Sequence, residues 1–151
     1  MLYRDNWRNI LLEMRMAEEY ADIQDRPNFS SDSRVHAVAA KAYVRIVAAW
    51  NLRNEEAAYL IDVSSRTWSR MKSQGWSGRL SKDQLMRISA ITGLYKALHL
   101  YFDGDLTDKW VCFDNTGALF AGKAPMEKMI EGGLPAIMET RDYVDALRGG
   151  A

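Results

Sequence analysis

Residues 57 to 71 read "AAYLIDVSSRTWSRM", and this stretch constrains the fold more tightly than any other. Ala57, Ile61, Val63, Trp68 and Met71 fall where a buried seam between two short helices belongs, and small Ala58 lets those helices approach closely. So few residues separate the two helices that a tight turn must fall at Asp62. Glycine is usual there because the turn needs a left-handed backbone, and aspartate is among the few other residues that visit it without severe cost. Ser64 or Ser65 caps the second helix. The pattern is a helix-turn-helix.

Its second helix would expose Ser65, Arg66, Ser69, Arg70 and Lys72. In a DNA reader, early residues of this helix meet base edges while flanking cations meet phosphates. Arg66 and Arg70, one turn apart, are the candidates for guanine or phosphate, and Arg79 and Lys82 would extend the phosphate footprint. The charge distribution agrees. The chain is neutral overall, but residues 1–63 sum to −2, residues 64–99 to +6 and residues 100–151 to −4. A basic centre between acidic flanks implies separate surfaces for separate partners. A helical hairpin that keeps the packing without touching DNA would show the same apolar pattern.

The flanking sequence reads as helix throughout. Residues 5–24 place Trp7, Ile10, Leu11 and Met14 at helical spacing, and polar "DRPNFSSDSR" follows as a linker. From 34 to 50, Val35, Val38, Ala39, Ala42, Ile46, Ala49 and Trp50 form a stripe opposite Lys41, Arg45 and Ala48. Asn54 stands as an N-cap ahead of Glu55 and Glu56. Ser81 and Gln84 form a capping box before a long helix carrying Leu85, Ile88, Ile91, Tyr95, Leu98 and Phe102, with Gly93 placed to bend or split it. Thr107 caps a short helix, "DNTGALFAGKAP" is a loop, and Pro125 and Pro135 open two helices separated by Gly132 and Gly133. No strand-like alternation or internal repeat is present. The fold is expected to be all-α: an N-terminal helix and linker over 1–33, a helix-turn-helix domain over 34–93, and a small helical domain over 94–151.

The residues argue against an enzyme. His36 and His99 are the only histidines, both fall on or beside apolar helix faces, and no convergent acid, base and nucleophile emerges. Cys112, between Val111 and Phe113, reads as a packed thiol; a single cysteine offers neither a disulfide nor a multi-cysteine metal site. No catalytic residue, metal or cofactor is expected. No run approaches the ~20 apolar residues that cross a bilayer, and no signal peptide opens the chain, so a cytoplasmic protein without membrane contact is expected.

From residue 35 to 150 the chain resembles the Xre/MbcA/ParS type of antitoxin. The resemblance rests on "SGRLSKDQLMRISAITGLYKALHLYF", then Trp110, Asn115 and "LFAGKAPMEKMIEGGLPAIMETRDYVDALRGG". The family joins an Xre-like helix-turn-helix to a C-terminal toxin-binding domain. The resemblance implies a type II antitoxin whose partner is a RES-domain toxin that consumes NAD or transfers ADP-ribose. It also implies neutralisation by covering the toxin's cleft, and promoter binding in some complexes. Carried onto this chain, the toxin-facing positions are Asn115, Phe120, Gly122, Pro125, Arg141, Tyr143, Arg148, Gly149 and Gly150. Phe120 and Pro125 fit equally well as core residues that fix their loop. Two half-sites on DNA imply a homodimer, or a hetero-oligomer with the toxin. The alternative reading is a helix-turn-helix repressor whose C-terminal helices dimerise or bind a small ligand, with Trp110, Phe113, Phe120 and the methionines lining the pocket.

Overall fold

The computed structural model describes residues 33–149. The helix expected at 5–24, its linker as far as Asp32, and Gly150 lie outside the described residues, while Ser33 and Arg34, read as the end of that linker, are helical. Six α-helices follow one another: α1 (Ser33–Trp50), α2 (Asn54–Leu60), α3 (Ser65–Met71), α4 (Lys82–Tyr101), α5 (Leu106–Lys109) and α6 (Pro125–Arg148), with a 3-10 turn at Trp110–Cys112. Among the described residues no strand is present, so the all-α expectation holds.

α4 is the centre of the molecule. Leu85, Ile88, Ala90, Ile91, Leu94, Tyr95, Ala97 and Leu98 are buried around most of its circumference. A helix apolar on nearly every side has to be enclosed, and α1 covers one flank while α6 covers the other. The capping box at its start forms as expected: Gln84 N donates to Ser81 Oγ at 3.1 Å and Ser81 N donates to Gln84 Oε1 at 2.8 Å. Gly93 neither bends nor splits it. The helix runs unbroken through it, and Gly93 serves a close approach instead: a Cβ there would stand 2.6 Å from Arg141 Cζ, so the missing side chain is the space the guanidinium occupies.

α1 buries Val35, Ala42, Ile46 and Trp50 as its spacing foretells, but Val38, Ala39 and Ala49 are only half-buried. The inward face is centred instead on Ala40, Tyr43 and Val47. Tyr43 is fully enclosed, its hydroxyl donates to Ala57 O at 2.7 Å, and its ring meets Trp68 edge-on at 5.5 Å. That burial pushes the phenol's pKa far above its ordinary value. The helix stops at Asn51, where φ is +52° and the last carbonyls are taken by Asn51 N→Ala48 O and Leu52 N→Val47 O.

Two expected caps are displaced. Asn54 does not cap α2: Arg53 does, its backbone N donating to Glu56 Oε2 at 2.9 Å, which leaves the Asn54 side chain to reach elsewhere. Thr107 does not cap α5, which begins after Asp105; it is buried, and its hydroxyl donates to Phe102 O at 3.2 Å. The two C-terminal helices are present as arms of α6. Pro125 occupies the first turn, and Gly133, at φ +66° and ψ −150°, breaks helical geometry between the arms just before Pro135. Only glycine visits that region freely.

Candidate nucleic-acid interface and C-terminal face

The helix-turn-helix is α2, the turn at Asp62 and α3. Asp62 takes φ +54° as the sequence requires. Around it Asp62 N donates to Tyr59 O at 3.1 Å and Val63 N to Ala58 O at 3.0 Å, a Schellman closure that satisfies two orphan carbonyls of α2. Ser64, not Ser65, caps α3, accepting from Thr67 N at 3.0 Å. Ala57, Ala58, Ile61, Trp68 and Met71 are buried in the seam, with Val63 half-buried at its edge.

Every reader candidate is on the surface. Ser65, Arg66, Ser69, Arg70 and Lys72 project from α3, and exposed Arg79 and Lys82 flank it on the approach to α4. Helical spacing decides part of this: once Trp68 and Met71 face inward, positions 66, 69 and 70 face out, whereas Ser65 and Lys72, one turn either side of Trp68, are exposed because they lie at the ends of the helix.

Three residues that fix this reader escape a sequence reading. Asn54 Oδ1 accepts from Trp68 Nε1 and from Lys72 Nζ, both at 3.0 Å, so one amide ties α2 to α3 and holds Lys72 beside the Trp68 ring. Gln84 Nε2 donates to Asp62 O at 2.8 Å, anchoring the turn to α4. Arg87, largely buried, donates to Asp83 Oδ2 at 2.7 Å and reaches Leu60 O at 3.4 Å. Its far end lies at the α6 kink, 3.2 Å from where a Gly133 Cβ would be. The sequence signals were Asn54, which looked like a cap, and Gln84, whose capping box announced one of its two roles.

The C-terminal candidates divide. Asn115 locks the loop: its N donates to Lys123 O, its O accepts from Gly122 N, and its Oδ1 accepts from Gly117 N at 2.8 Å. Ala121 and Gly122 both take positive φ, +51° and +87°, and turn the chain at the loop's exposed tip. Phe120 is 2% exposed, meeting Trp110 at 5.7 Å and Tyr143 at 5.1 Å edge-on, while Trp110 and Tyr143 stack at 6.3 Å. Phe120 and buried Pro125 hold the loop from inside, so a partner would meet the loop and not these two side chains. Arg141, Arg148 and Gly149 are exposed, and Tyr143 is half-buried. Both arginines reach toward Asp145, at 3.9 Å and 3.8 Å.

The remaining candidates are structural. His36 is buried and its Nδ1 accepts from Leu80 N at 2.9 Å. His99 Nδ1 lies 2.9 Å from Tyr95 O and its Nε2 lies 3.4 Å from Asp108; burial holds its pKa below the ordinary imidazole value. Cys112 corrects the sequence reading: it is exposed, because Trp110 and Val111 take the inward positions of the 3-10 turn. Its thiol pKa is raised by partial burial, the wrong direction for a nucleophile. Of the residues suggested for a ligand pocket, Trp110 and Phe120 are core and Phe113 is surface, while Met86 and Met138 line a groove away from them. That open groove of about 220 Å³ lies between α4 and the second arm of α6, lined by Met86, Leu134, Met138, Arg141 and Asp145 among others. Among the described residues no three His, Cys, Asp or Glu side chains are placed to hold a metal, and no helix is long and apolar enough to cross a membrane.

Fold and surface together define an all-helical helix-turn-helix protein whose C-terminal third, residues 100–151, carries a net charge of −4. The family model for the antitoxin Xre-like helix-turn-helix domain matches residues 32–93. A protein of Sinorhizobium fredii named "Uncharacterized protein y4oB" is 32% identical over 123 residues, spanning 80% of this chain and 92% of its own length. The chain belongs to the family of proteins that carry the antitoxin Xre-like helix-turn-helix domain. No solved structure matches it.

Proposed function

We propose that this protein is the antitoxin of a type II toxin-antitoxin system: it neutralises a RES-domain toxin, an NAD-consuming or ADP-ribosylating enzyme, and binds its own promoter through α3. The observation that carries the DNA half is the α3 surface, where five outward side chains, two of them arginines one turn apart, stand on the segment the antitoxin domain model matches. Such a surface neutralises phosphates and releases counterions, so binding weakens steeply with salt. The toxin half is supported by the resemblance of the C-terminal sequence and by a C-terminal segment of opposite net charge. Arg141, Arg148 and the loop tip at Ala121 and Gly122 are exposed there. The −4 net charge of residues 100–151 disfavours DNA and suits a basic protein partner. A symmetric promoter would be read by a homodimer or by a hetero-oligomer that includes the toxin.

The test is to seek a RES-type open reading frame beside the gene for this chain and co-express the two, scoring growth and cellular NAD. Rescue by this chain supports the antitoxin; a toxic neighbour that it fails to rescue rejects it. Replacing Arg141 and Arg148 with alanine probes the C-terminal face more cleanly than truncation. Cutting after Glu139 would also strip Thr140 and Val144, both fully buried.

A further inference from the structure

Among the described residues seven large apolar side chains are exposed, and four of them fall within fourteen positions: Leu100 (56%), Tyr101 (42%), Leu106 (43%) and Phe113 (52%). The segment is the far end of α4, all of α5 and the 3-10 turn. Its floor is fixed. Thr107 Oγ1 donates to Phe102 O, Phe113 N donates to Trp110 O, and the Phe102 ring lies 4.7 Å from Tyr101 and 6.3 Å from Trp110. Buried Thr107, Trp110 and Val111 hold it from below. Four apolar groups standing on rigid backbone lose little freedom when covered, which favours binding. The charges around them are acidic: Asp103, Asp105 and Asp114 are exposed, against Lys109.

We propose that this acid-rimmed apolar end is a docking surface for a protein segment that presents an apolar ridge flanked by lysine or arginine. The inference rests on the antitoxin reading for the partner's identity as the toxin. Two other occupants fit less well. A second copy offering the same patch would set aspartates against aspartates. Residues 1–32 carry 4 basic and 7 acidic side chains, again the wrong sign. They join α1 at the end away from the patch, a distance that 32 residues can still span, so charge is what disfavours them: His36 near the start of α1 accepts from Leu80 N, whereas Trp50 at its finish lies 6.0 Å from Tyr95, toward the patch. With 18 residues, α1 separates those ends by roughly 27 Å. The same geometry lets the surface coexist with DNA, because the 20 residues of α4 put about 30 Å between Lys82 beside the reader and Tyr101 at the patch.

The experiment measures the affinity of the full chain for the purified RES-type neighbour, with a thermal melt of each variant. Leu100→Asp with Phe113→Asp should weaken binding by about 100-fold or more, as loss of a buried apolar anchor does, and leave the melt unchanged. Asp103→Lys with Asp114→Lys, which touches no apolar group, should weaken it by about tenfold at low salt and less at high salt. Unchanged affinity in both folded variants overturns the patch and leaves the antitoxin standing. A wild-type chain that neither binds nor neutralises the neighbour overturns both. A wild-type dimer that becomes monomeric in the Asp pair with full toxin affinity makes the patch a self-interface and also overturns the proposal. So does deletion of residues 1–32, if it raises amide exchange across 100–113, because the chain's own start would then be the cover.

Discussion

The reader and the C-terminal face answer differently to the same kind of sequence reasoning. In α3 direction follows largely from helical spacing, and Arg66, Ser69 and Arg70 emerge on the surface where that spacing puts them. In residues 110–124 direction follows from tertiary packing around Trp110, which no periodicity announces. Phe120 disappears into the core, whereas Cys112 and Phe113 come out of it. The contrast teaches that a short helix with one buried aromatic reports its own exposed face. A loop reports only its turn residues.

That contrast can be broken by mutation, beginning where the effect is largest. Phe120→Ala empties the space between Trp110 and Tyr143 and should cost about 3–5 kcal/mol in a urea unfolding curve. A cost near zero would mean the loop is not held from inside. Gly133→Ala should destabilise by about 1–3 kcal/mol, since it strains a φ of +66° and crowds Arg87. Asn54→Ala removes the acceptor for Trp68 Nε1 and Lys72 Nζ and should cost about 1–2 kcal/mol. DNA affinity in that variant should fall by more than stability alone explains, because Lys72 loses its hold. Arg66→Ala with Arg70→Ala should leave the melt within about 0.5 kcal/mol of wild type. Its signature is in DNA binding, where the slope of log affinity against log salt should fall by about 1.8 if both contact phosphate.

The smallest effect concerns pH. Burial lowers the His99 pKa in the folded state, so the neutral ring is the one the fold favours. The stabilising contribution is therefore fully present above the unfolded value of about 6.5 and is lost as pH falls through the folded value. His99→Gln should flatten that acid-side loss in melts recorded across the window, while a slope equal to wild type's would assign it to other groups.

Much of the fold was legible because its elements carry local punctuation. Ser64, the Ser81–Gln84 box, Asp62 in the left-handed turn and Pro125 at a helix start all act within their own segment. What the sequence concealed acts across segments. Asn54 looked like a cap but joins two helices. Gly93 looked like a break but seats Arg141, and Arg87, which no sequence pattern marks, lies against the α6 kink. Each depends on a neighbour distant in sequence. Local spacing had no means of naming that neighbour.

The central claim is that one chain holds DNA and a protein on separate faces. Its most direct test is growth rescue by the Arg66→Ala, Arg70→Ala variant co-expressed with the RES-type neighbour, in cells where the variant has lost promoter binding. Rescue equal to wild type is the expected result, since neither arginine lies in the acidic C-terminal segment. Failure of rescue by a folded variant would contradict the account, because it would make the reader surface part of toxin binding.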